Sequence, residues 1–79
     1  MALVGEHLPN AVGRRVRELR NRIGVSQEAL AERAGLHRNY VGSVERGERD
    51  IGITALARLA SALGLSLADF FAPFRQKVR

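Results

Sequence analysis

SQEALAERAGLHRNYVGSVERGERDI, residues 26 to 51, is the stretch on which the architecture turns. Ser26 is an N-cap residue, and Glu28 follows where a helix dipole favours a negative charge. Leu30, Ala31 and Ala34 recur at helical spacing, so a helix runs through Ala34 and closes at Gly35. A second helix begins at once, covers about His37 to Arg46 and ends at Gly47. Between them lies only Ala34-Gly35-Leu36, with a glycine where a left-handed backbone is wanted and an apolar plug after it.

That connection has the spacing of a helix-turn-helix unit. Working outward, Val12, Val16, Leu19 and Ile23 mark an earlier helix from about Pro9 to Ile23, stopped by Gly24. Leu56, Leu59, Ala60 and Leu63 mark a fourth from about Ile53 to Leu63, ended at Gly64. Ser66 and Asp69 make a capping-box-like start for a short fifth helix, which Pro73 should end. The expectation is an all-α, compact five-helix domain over residues 9–74, with a flexible N-terminal arm, 1–8, and a basic C-terminal tail, 75–79. ALAERAGL and ALARLASALGL look alike, but no fixed period recurs, so they read as two amphipathic helices and not as repeats.

Composition narrows the function. The chain has 79 residues and a net charge of +5, and all but one of its 13 cations are arginine. Arginine's planar fork fits phosphates and base edges bidentately, which points to nucleic acid. Four aromatics, Tyr40, Phe70, Phe71 and Phe74, are too few to stack a single strand. Without cysteine there is neither a disulfide nor a thiolate metal site, and His7 and His37 have no metal-ligand spacing. The expectation is therefore no metal, no cofactor and no enzyme chemistry. Arg58 and the serines break the most apolar stretch, excluding a membrane span, and MALVGEHLPN lacks the basic start of a signal peptide, so the chain reads as cytoplasmic.

Successive residues of the third helix lie about 100° apart, which separates Val41 and Val44, with His37 at the edge, from an opposite arc of Arg38, Asn39, Gly42, Ser43 and Arg46. Arg38 can pair with guanine, Asn39 with adenine, and Ser43 with several base edges. A glycine inside the arc suggests that its backbone must approach something closely. The bland alternative is a solvated helix face.

With RRVRELRNRIG before it and ITALARLASALGLSLADFF after it, the quoted stretch resembles the lambda-repressor/Cro-like helix-turn-helix family over about residues 9 to 74. Gln27, Ala31, Gly35, Val41, Val44, Glu45 and Gly47 carry the likeness. HRNYVGSVERGERDI and the short length are similar to the small controller proteins of restriction-modification systems, dimeric DNA-binding regulators of transcription. The resemblance implies base contacts from Arg38, Asn39, Ser43 and Arg49, and phosphate contacts from Ser26, Gln27, Tyr40 and Arg46. It also implies a structural salt bridge between Arg20 and Glu45. Gly52 departs from the Ser or Thr that many relatives place as the N-cap of helix four.

Leu67, Phe70, Phe71 and Phe74 gather three of the four aromatics within eight residues, and a domain this small cannot readily bury all of them. They are the expected homodimer interface, against the alternative of a monomer in which Phe74 packs on helix one. Glu28 and Glu32 could form an acidic surface for RNA polymerase. The expected function is a homodimeric regulator on double-stranded DNA with a roughly palindromic operator. The rival is an antitoxin or adaptor-type protein-interaction module on the same fold, which would have no reason to group Arg38, Asn39 and Arg46.

Overall fold

The computed structural model describes residues 7–74, and among them every regular element is a helix. These are α1 (Leu8–Ile23), α2 (Gln27–Ala34), α3 (Arg38–Glu45), α4 (Ile53–Ala62) and α5 (Leu67–Phe70). All five expected helices form. The arm and the basic tail lie outside the described residues, apart from His7 and Leu8, and Leu8 already belongs to α1.

The ends follow local chemistry. Ser26 and Ser66 cap α2 and α5 by accepting from the N–H groups of Ala29 and Asp69, both at 3.0 Å. The αL turn forms at Gly35, φ 70°, and the Leu36 N–H reaches back to the Ala31 carbonyl at 2.8 Å. His37 stands outside α3 as its N-cap, with Nδ1 accepting from the Asn39 N–H at 3.1 Å. A histidine does not advertise that role in sequence.

Val16, Leu30, Val41, Val44, Leu59 and Phe70 are the large side chains at the centre of the core. The helix-turn-helix pair packs between α1 on one side and α4 on the other. Gly13 permits the tightest of these contacts. A Cβ there would lie 2.7 Å from the Glu45 carbonyl oxygen and closer still to that of Val44, so α1 and the end of α3 meet backbone to backbone.

The aromatic cluster requires a correction. Phe70 and Phe74 are buried within this one chain, 0% and 7% exposed, and are core residues. Phe71 is half-buried, edge-on to both rings at centroid distances of 5.1 and 5.3 Å, while Leu67 is exposed. The bundle accommodates the rings because α5 is very short. Pro73 has no N–H to offer the Asp69 carbonyl, and Arg15 of α1 donates to that carbonyl at 2.9 Å and to Phe70's at 2.7 Å. The chain then turns at Phe71, and Phe74 comes back onto the core.

Candidate nucleic-acid interface

The N-terminus of α2 and the exposed side of α3 border an open groove of about 540 Å³, lined by Ser26, Gln27, Glu28, Arg38, Asn39 and Arg46 among others. Arg38 and Asn39 stand exposed in the first turn of α3, as a reading role requires. Arg46 is exposed at its end and Arg49 in the loop beyond. Ser26 accepts the Ala29 N–H in capping α2 and keeps its hydroxyl proton for an anion, beside the first backbone N–H groups of that helix.

Two members of the expected arc are buried. Ser43 is buried, donating its hydroxyl to the Tyr40 carbonyl at 2.8 Å and accepting from Arg49 Nε at 3.1 Å. The base contact expected of it is therefore replaced by an internal one. The cause is the loop after α3, which folds back over that flank. Gly42 is also buried; a Cβ there would lie 3.3 Å from Gln27 Oε1 and 3.2 Å from Arg46 Nη1. The close approach expected at this glycine exists, but to protein side chains of its surroundings. The exposed arc is thus narrower than helical geometry alone suggests.

Beneath the groove lies a buried carboxylate. Glu45 has a fully enclosed side chain, and Arg20 grips it with a fork, Nε to Oε2 at 2.6 Å and Nη2 to Oε1 at 3.0 Å. Arg20 Nη1 also donates to the Val25 carbonyl at 3.0 Å, tying the end of α1 to the turn before α2. Gln27 Nε2 donates to Glu45 Oε1 at 2.9 Å, and Arg17 adds a longer contact at 3.4 Å. Burial pushes the Glu45 carboxyl up, but the hydrogen bonds from Arg20 and Gln27, the Arg20 charge and Arg17 together hold it below the usual carboxylate range. The hydrogen bonds that Arg20 donates to Glu45 also hold its guanidinium more firmly protonated, against an opposing effect of burial. Arg20 and Glu45 form the expected structural pair. Gln27 is part of the same knot, so its side chain is only half available to a phosphate.

The exposed arginines have their own partners. Arg38 Nη1 lies 3.6 Å from Glu28 Oε1 across the groove. Arg46 is bidentate to Glu48, with 2.9 and 3.2 Å contacts, which raise the Arg46 pKa and lower that of Glu48. Arg49 instead lies over the Tyr40 ring, 4.8 Å from its centroid. The Arg38–Glu28 pair and the hold of Arg15 on the end of α5 join residues that only the fold brings together, whereas the Arg46–Glu48 pair and the His37 cap are local contacts between residues two apart that residue type alone does not announce.

The whole surface is that of a helix-turn-helix domain presenting a polar, arginine-bearing face. The helix-turn-helix family model matches residues 16–70, and the chain belongs to that family of DNA-binding transcriptional regulators. More particularly, it is similar to control protein C.SmaI of Serratia marcescens, 54% identical over 52 residues, which cover 66% of this chain and 62% of that protein. The chain thus matches less than two thirds of that relative's length. The restriction-modification controller protein C.AhdI from Aeromonas hydrophila shares 44% identity and a TM-score of 0.77, over 80% of this chain and 91% of that one. Controller protein C.Esp1396I, solved as a tetramer in complex with its natural 35 base-pair operator, is 29% identical with a TM-score of 0.81, over 87% of this chain and 91% of that one. No helix among the described residues is long and apolar enough to cross a membrane.

Proposed function

We propose that the protein is a sequence-specific, double-stranded DNA-binding regulator of transcription, of the controller type, acting as a homodimer on a roughly palindromic operator in the cytoplasm. The observation that carries this reading is the placement of Arg38, Asn39 and Arg46 on one groove with the N-terminus of α2. Arg38 and Asn39 can read base edges in the major groove, while Ser26, the amide end of α2 and Arg46 take the phosphates beside it. The relation to C.Esp1396I, whose operator complex is a tetramer, supports both the ligand and the assembly.

Leu67 and Phe71 are the part of the aromatic segment left for a second copy, and Ile53, 77% exposed at the start of α4, is a further uncovered apolar side chain. Contact with RNA polymerase would use Glu32 more readily than Glu28, which faces Arg38. Selection of bound duplexes from a random pool tests the reading. A recovered site with two-fold symmetry supports it; recovery of no sequence would favour a protein-interaction module.

A further inference from the structure

Arg49 differs from the other two exposed arginines of this face in what holds it. Arg38 and Arg46 lie against carboxylates. Arg49 is held by neutral groups: the Tyr40 ring beneath its guanidinium and the Ser43 hydroxyl that accepts from its Nε. The Ser43 proton is already committed to the Tyr40 carbonyl, so the oxygen presents a fixed lone pair to Arg49. Because Ser43 is buried in α3, the loop arginine is registered against the recognition helix itself. Ring and hydroxyl orient the guanidinium without cancelling its charge, and neither contact uses the two terminal nitrogens, the edge that pairs bidentately with a guanine or a phosphate.

We propose that Tyr40 and Ser43 are positioning residues that hold Arg49 in a DNA-ready orientation before the duplex arrives. This rests on the reading of the α2–α3 face as the duplex-binding surface. A flexible side chain ordered in advance loses less freedom on binding, and the saving for one long side chain corresponds to roughly three- to tenfold in affinity.

The test combines side-chain NMR of the free protein with a double-variant cycle on a duplex selected from a random pool. In the wild type the Arg49 Nε–H should be slowed in solvent exchange and dispersed in shift; it should stay so in Tyr40→Phe, which keeps the ring, and become averaged in Ser43→Ala. Ser43→Ala should weaken the selected duplex about three- to tenfold, with Arg49→Ala weakening it at least as much. The double variant should match Arg49→Ala alone, since an empty seat has nothing left to position. An Arg49 Nε–H that exchanges like that of a free arginine in the wild type overturns the proposal, whatever the variants do. So does a Ser43→Ala protein of unchanged affinity, or a double variant whose losses multiply. If Arg49→Ala and Arg38→Ala both leave duplex affinity untouched, the functional reading fails and takes this proposal with it.

Discussion

Arg20, Gln27 and Glu45 show why a charge can be retained at the heart of a DNA-reading unit. The carboxylate is enclosed, so its desolvation is offset only while its donors are in place. Arg20→Ala should lower stability by about 2–4 kcal/mol, and Glu45→Ala by a similar amount because Arg20 is then left with little beyond the Val25 carbonyl. The Arg20→Ala, Glu45→Ala double variant should lose clearly less than the sum; additive losses in thermal melting would remove the pair from its structural role. The same site sets a pH dependence. Its folded-state carboxyl titrates below the ordinary carboxylate value of about 4.3, so the unfolded chain takes up the proton first on acidification. The stabilisation is complete above that ordinary value and is lost as pH falls from there through the folded-state value. Urea melts of wild type and Glu45→Gln across that window should show a steeper fall for the wild type; equal slopes would contradict the assignment.

Among the elements, the helices were legible because periodicity and punctuation agreed. Val16 and Leu30 fall on buried faces, Ser26 and Ser66 cap, and Gly35 takes the αL turn. The site was legible only in part. Arg38 and Asn39 could be placed by angle on an isolated helix, but Ser43 could not, since its exposure depends on a loop that folds back over it. That one or two of the aromatic-segment residues cap the core is legible, but that these are Phe70 and Phe74, and not interface residues, is not, because it depends on how tightly the last helix is cut short. Gly13 left no signal, because it sits inside a good helix and its neighbour is the backbone of α3. Gly13→Ala should therefore destabilise by roughly 1–3 kcal/mol through overpacking, although alanine is the better helix former by about 1 kcal/mol. A melting temperature equal to or above that of the wild type would mean that α1 and α3 can separate freely.

At the scale of the molecule, a small single-core domain with one reading face would gain specificity by doubling, as the proposed function requires. Two copies related by a two-fold axis would set their α3 helices about 34–36 Å apart, one turn of DNA. Phe70→Ala should act on folding, with a loss of about 3–5 kcal/mol from the cavity it leaves. Leu67→Asp, at an exposed position, should instead leave melting nearly unchanged and shift sedimentation at micromolar concentration from dimer to monomer. A wild type that sediments as a monomer throughout would end the dimer reading without touching the fold.

Whether the α2–α3 face reads duplex DNA is decided by Arg38→Ala, measured by binding to a selected duplex and a scrambled one across a salt series. Arg38→Ala should lose about 1–3 kcal/mol on the selected site and much less on the scrambled one, so that the preference between them narrows. Unchanged affinity for both duplexes would contradict that reading, because Arg38 is the arginine exposed in the first turn of α3.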